Sequence, residues 1–282
     1  PLVAQAYGGF SSRNAPGGRG MSNEFVERFI ECPTGAARVM EKGEGETLGY
    51  FAGLHGLPKW QPVLDELSKN RKIVAPSLPG YPGGGDYEQL DDVLDWALAV
   101  RDIHAAAGLD GADLVGASVG AALAAEIAAL WPGAVGRLVL IAPYGHYDAA
   151  DPTVDVFAQY QNKIPHVMSA KGEDYAKYIS APNSEDELEW DLSLFRAQMA
   201  AARMLWPLGD TKIMKRLGRI TLPTLIIWGS NDDIIPSSYA QRFADAICGQ
   251  VSVRIIEGAG HKVEFDAPEE VAVAIGEFLD GN

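Results

Sequence analysis

The sequence predicts an α/β protein: a mostly parallel, doubly wound sheet that carries an inserted helical lid. Two observations lead there. From residue 25 onward, short apolar runs alternate with stretches of helical periodicity. Parallel strands need long crossover connections, and helices on both faces supply them. Across residues 147–218 the alternation stops and no strand-like run occurs, then it resumes. A helical segment is therefore inserted between two strands of one sheet.

The elements follow in order. FVERFIECP and AARVMEKG read as an opening pair of strands. LGYFAGLHG (48–56) reads as a third strand ending in glycines, WQPVLDELSKN as a short amphipathic helix, and KIVAPSLPG as a strand stopped by Pro and Gly. Residues 91–107 put Val93, Leu94, Trp96, Ala97, Val100 and Ile103 at helical spacing. ADLVGAS is a strand, 119–131 an Ala-rich helix, and RLVLIAP a nearly pure apolar strand of the kind buried on both faces. In the inserted segment, DELEWDLSLFRAQMAAARMLW reads as helix. The pattern closes with TLPTLIIWG, a helix at 237–247, VSVRIIEG and a helix at 269–279. The expected division is a core of 21–146 and 219–282 with a cap of 147–218. The first twenty residues, PLVAQAYGGFSSRNAPGGRG, lack the apolar centre of a secretory signal. They read as an appended leader with Met21 as the natural start, a genuine N-terminal extension being the alternative.

Composition narrows the partners. The net charge of −15 opposes a nucleic-acid partner, because phosphate binding draws on clustered Lys and Arg. No uninterrupted apolar run approaches the roughly 18 residues of a membrane span. The two cysteines, Cys32 and Cys248, have no metal-ligand spacing and suit a reducing compartment. The expectation is a cytoplasmic protein, monomeric or a homodimer, acting on a small molecule without cofactor or metal. The glycines of Gly43–Gly49 have the wrong spacing for a dinucleotide loop and read as a turn.

Gly116-Ala117-Ser118-Val119-Gly120 fits G-x-S-x-G, with a strand directly before it and a helix directly after it. That setting makes the pentapeptide a nucleophile turn. The turn is tight enough to bring the residues two before and two after the serine together, which glycine tolerates. The alternative is an ordinary helix N-cap serine. A serine hydroxyl needs a base, and the base needs an orienting acid. His261, in Gly-Ala-Gly-His-Lys after the last strand, is the expected base. Asp232, in WGSNDDIIP, is the expected acid, with Asp233 beside it and Asp148 or Asp151 as more distant candidates. The expected oxyanion donors are the backbone N–H groups of Val119 and of Leu57 in His55-Gly-Leu-Pro. His55 itself reads as a buried structural imidazole. Lid aromatics pack the lid's own core in most cases. Tyr160, Trp190 and Phe195 are the candidates to face substrate.

LHGLP, GASVG, WGSNDDIIP and GAGH, in that order, resemble the α/β-hydrolase superfamily in its lidded esterase and C–C-hydrolase branch, over about residues 25–280. The resemblance implies the α/β-hydrolase fold and a Ser–His–Asp triad. Two departures stand out: SLPGYPGGG lacks the serine of the family's P-G-x-G-x-S loop, and the elbow carries Val119 and Ala121 where larger residues and glycine are frequent. A serine at the elbow opposes the Asp-nucleophile dehalogenases and epoxide hydrolases. The expected activity is hydrolysis of a small apolar carboxylic ester through an acyl-enzyme. C–C or lactone hydrolysis on the same triad is the alternative, as is a non-hydrolytic small-molecule receptor on this fold.

Overall fold

The computed structural model describes residues 24–281, so the leader expected at residues 1–20 lies outside the described residues. β1 (Val26–Cys32) and β2 (Gly35–Lys42) form an antiparallel hairpin. β3 (Thr47–Phe51), β4 (Lys72–Pro76), β5 (Asp113–Ala117), β6 (Leu138–Ile141), β7 (Thr224–Gly229) and β8 (Val251–Ile256) complete one sheet in the order β1-β2-β4-β3-β5-β6-β7-β8. β2 joins β4 antiparallel, and every later pairing is parallel. The sheet is mixed and mostly parallel, as expected. The apolar run of β6 is buried along its whole length, and β7 likewise.

The chain winds outward from β3 to β4, then returns past β3 to β5 and continues to β8. The order therefore reverses between β3 and β5. Loops leaving two such strands separate in opposite directions and open a crevice at their carboxyl ends. The flanking helices are α1 (Pro62–Leu67), α2 (Val93–Ala106), α3 (Val119–Leu130), α7 (Tyr239–Ala246), α8 (Val263–Asp266) and α9 (Pro268–Leu279). Alanine dominates α3, and its residues Val119 to Ala129 are all buried, so small side chains let the helix lie close against the sheet. Asp92 caps α2, accepting from the Leu94 and Asp95 amides, and Asp95 returns the bond.

Between β6 and β7 the structure is helical, as the sequence pattern required. α4 (Ile164–Met168), α5 (Gly172–Ile179) and α6 (Glu187–Leu205) form a lid-like cap with short 3-10 turns at Val156–Ala158, Ile213–Lys215 and Leu217–Arg219. Arg216 ties the returning chain to α3: its Nε and Nη2 donate to Glu126 at 2.6 and 2.5 Å.

One element departs from the sequence reading. The third strand ends at Phe51 and does not run to residue 56. The chain turns where the Gly56 amide donates to the Gly53 carbonyl at 2.8 Å, with Gly56 at φ 66°. The glycines that closed the expected strand build this turn instead.

Candidate active site

Ser118 sits between β5 and α3 with φ 54° and ψ −115°, a conformation that costs a non-glycine residue energy and marks a functional constraint. The neighbouring glycines explain how the turn fits. A methyl at Gly120 would stand 2.3 Å from the Phe51 carbonyl oxygen, and one at Gly116 would stand 2.6 Å from Ala121 Cα. The elbow therefore lies directly on the end of β3.

His261 follows β8 on a loop at the same edge, and its Nε2 is 2.8 Å from Ser118 Oγ. Its Nδ1 is 2.9 Å from Asp232 Oδ2. The second oxygen, Asp232 Oδ1, accepts the Ile234 and Ile235 amides, each at 2.9 Å. Both oxygens of this carboxylate are thus committed, and its side chain and that of His261 are wholly buried. Asp233 is exposed. Asp148 and Asp151 pair with Arg242 at 2.8 and 2.9 Å. The structure brings Ser118, His261 and Asp232 together and leaves the other carboxylates outside.

The loop after β3 completes the crevice. A methyl at Gly53 would stand 3.0 Å from Ser118 Cβ, so Gly53 is the residue of this loop packed on the nucleophile. Leu57 lies beyond the turn, where its carbonyl accepts from Arg38 at 2.6 Å. Among the described residues, the amides of Leu54, Leu57 and Val119 alike have no hydrogen-bond acceptor.

His55 is buried and bridges core to cap. Its Nδ1 meets the Tyr175 hydroxyl at 2.8 Å, and its Nε2 meets Gln198 Nε2 at 2.9 Å. Burial, with the Lys262 charge adding to it, pushes the imidazole down to about 3. His55 is therefore a neutral hydrogen-bonding ring at ordinary pH. A cavity of about 450 Å³ opens above it, lined by His55, Gln161, Ile164, Ala176, Phe195 and Gln198 among others. Phe195 thus borders a cap cavity. Trp190 donates to the Ile179 carbonyl at 2.6 Å and packs between α5 and α6, and Tyr160 is 82% exposed on the cap surface.

Four further residues shape the site without a sequence signal of their own. Asp266 accepts from the Gly260 amide at 2.8 Å, the Ala170 amide at 3.0 Å and the Ser169 hydroxyl at 2.5 Å, pinning the His261 loop to the cap. Tyr144 sets its ring edge-to-face against His261, with centroids 5.5 Å apart. Lys262 and Glu264, both buried, pair at 2.6 Å. Among the described residues no cluster of His, Cys, Asp and Glu could hold a metal ion, and no helix is long and apolar enough to cross a membrane.

Fold and elbow together define a hydrolase of the nucleophile-turn kind. A model of the alpha/beta hydrolase family matches residues 53–274, and the chain belongs to that family. It is similar to a 2-hydroxy-6-oxo-2,4-heptadienoate hydrolase of Pseudomonas putida, 27% identical over 82% of this chain and 86% of the relative. It is likewise similar to a monoacylglycerol lipase of Homo sapiens, 27% identical over 80% of this chain and 74% of the relative. Among solved structures, a bacterial membrane phospholipase A superposes with a TM-score of 0.69 at 26% identity, covering 92% of this chain and 87% of that one. A meta-cleavage product hydrolase of Pseudomonas fluorescens superposes with a TM-score of 0.72 at 17% identity, covering 90% and 97%, and shares the fold.

Proposed function

We propose that this chain is a serine hydrolase that attacks a carbonyl with Ser118 and passes through an acyl-enzyme. The hydrogen-bonded line from Ser118 through His261 to Asp232 carries this reading. Asp232 holds the Nδ1–H tautomer, which leaves Nε2 free to take the Ser118 proton as Oγ attacks. The tetrahedral oxyanion is received by the Val119 amide at the N-terminus of α3. The second donor in this reading is the Leu54 amide rather than that of Leu57, because Gly53 is the loop residue against Ser118.

The bond cleaved is C–C in the reading the relatives favour, since the heptadienoate hydrolase, a 2-hydroxymuconate semialdehyde hydrolase and a hexa-2,4-dienoic acid hydrolase are among the most similar curated proteins. With the substrate in its vinylogous diketone form, a CH2 joins the attacked carbonyl to the enone; collapse of the oxyanion breaks that bond and expels a stabilised dienolate, which takes the proton from His261. Water then attacks the Ser118 ester, gives its proton to His261, and releases the acid. Ester hydrolysis, which the sequence put first, is the second reading. The monoacylglycerol lipases favour it, as does the largely apolar cap cavity, which suits an acyl chain.

One panel decides between them: a vinylogous diketone acid, monoacylglycerols, and p-nitrophenyl esters of graded length. Wild type is expected to cleave at least one class, with Ser118→Ala inactive on all and a fluorophosphonate adduct found only on Ser118. Labelling elsewhere, or turnover that survives Ser118→Ala, refutes the serine mechanism. Tight binding of such molecules without turnover favours a receptor.

A further inference from the structure

Lys262, the residue after His261, brings its ammonium to the loop that packs on Ser118. His261 Nε2 meets Ser118 Oγ, while the Lys262 side chain is buried beside Gly53. A methyl at Gly53 would stand 3.0 Å from Ser118 Cβ and 3.3 Å from Lys262 Nζ, so Gly53 is flanked by both. Lys262 is 1% exposed, and so is Glu264, its partner at 2.6 Å. The ammonium also lies 5.7 Å from the Tyr175 ring centroid. The Lys262 amide donates to the Met168 carbonyl at 2.7 Å, fixing where the side chain starts.

Stability does not explain such a pair. Desolvating two charges costs several kcal/mol per ion, and apolar replacements of buried pairs are often neutral or stabilising. What the pair does provide is an oriented dipole in a dry setting. Its positive end adjoins Gly53, the loop residue packed on the nucleophile. Its carboxylate is near Tyr50 and Tyr175, whose phenols are pushed well up by burial, with the Glu264 charge adding to it.

We propose that the Lys262–Glu264 pair is an electrostatic element of the oxyanion site, with Lys262 adding positive potential where negative charge develops on the attacked carbonyl. This rests on the reading of Ser118 as nucleophile. Lys262 does not touch the reacting atoms. It acts through the Gly53–Leu54 loop as a positioning residue, and its charge matters only when the oxyanion forms. Low dielectric gives a fixed charge far more effect there than in water.

The test compares two isosteric variants with wild type on p-nitrophenyl butyrate and on a trifluoromethyl ketone, whose Ser118 adduct carries an oxyanion. In Lys262→Met/Glu264→Gln, which removes both charges, kcat falls about 10- to 100-fold and the ketone binds more weakly by a similar factor, while KM changes little. In Lys262→Met alone, which also removes the positive charge, kcat and ketone affinity fall by a similar factor. A pair that is only structural behaves otherwise: the double variant acts like wild type and only the single variant is impaired. Wild-type kcat and ketone affinity in the double variant overturn the proposal, as does a rise in KM with kcat unchanged. If the double variant does not fold, Lys262→Met alone decides, because wild-type kcat and ketone affinity in it overturn the idea. Fluorophosphonate labelling of Ser118 in wild type is run alongside, so failure of the nucleophile assignment is seen separately.

Discussion

Replacing Asp232 with Asn tests the site's logic through proton placement, with almost no change in shape. In the wild-type chain Oδ1 accepts two amides, from Ile234 and Ile235, and Oδ2 accepts from His261. An Asn side chain has one oxygen and one NH2. If the oxygen stays on the two amides, the NH2 faces His261 Nδ1 and forces that nitrogen to accept. The ring proton then moves to Nε2, which points at Ser118 Oγ and can no longer take its proton. The opposite rotamer sacrifices both amide bonds, at about 1 kcal/mol each plus the penalty of facing donors with donors. The first rotamer wins, and kcat falls about 10⁴-fold with the fold intact, the size of effect a wrong tautomer produces in a serine triad. The assay is burst and steady-state kinetics with p-nitrophenyl butyrate, with Asp233→Asn as the exposed control that leaves kcat unchanged. A folded Asp232→Asn that keeps kcat within about tenfold of wild type would show that Asp232 does not set the tautomer of a catalytic His261.

Three more outcomes follow from the same geometry. Gly120→Ala puts a methyl 2.3 Å from the Phe51 carbonyl oxygen, a backbone clash neither element can relieve, so soluble yield and melting temperature both drop. A variant that melts like wild type contradicts the packing of elbow on β3. His104 is wholly buried, and burial lowers it from 6.5 to about 4. Its folded form stays neutral while the unfolded chain takes up the proton below pH 6.5, so stability is lost as pH falls from 6.5 toward 4 and levels off below. The loss is about 3 kcal/mol, and His104→Leu flattens that slope in urea melts; an unchanged slope assigns the acid sensitivity elsewhere. In the cap, Ala176→Phe reduces the 450 Å³ cavity, so KM rises for long-chain esters and stays level for acetate; equal effects on both exclude the cavity as the acyl site.

Much of this was legible in the residues because short-range physics dictates it. The β5 run, Ser118 and the Ala-rich α3 are contiguous, and the need for glycine on either side of the serine is local. The loops bearing Asp232 and His261 follow apolar strands whose parallel order sends both to one edge. What stayed hidden depends on packing between distant segments. Gly53 looked like the tail of a strand, because nothing in LGYFAGLHG says that the chain bends after Phe51; the bend is set by contact with Ser118, far away in sequence. Asp266 carries no signal of its own in the sequence, and its use as an acceptor for the cap loop needs α8 and residues 169–170 side by side.

The same distinction explains why reaction type is easier to read than substrate. Proton transfer demands three side chains in a line, and that demand leaves few arrangements. A pocket demands only volume and a little polarity, which many sequences supply. The aromatic residues of the cap illustrate this: Trp190 packs between helices, Tyr160 faces outward, and Phe195 borders the cavity, yet in sequence the three look alike. Lys262 sits between these cases. Beside His261 in the chain it resembles a solvated loop lysine. Only its burial against Gly53, Glu264 and Tyr175 makes its charge a part of the chemistry.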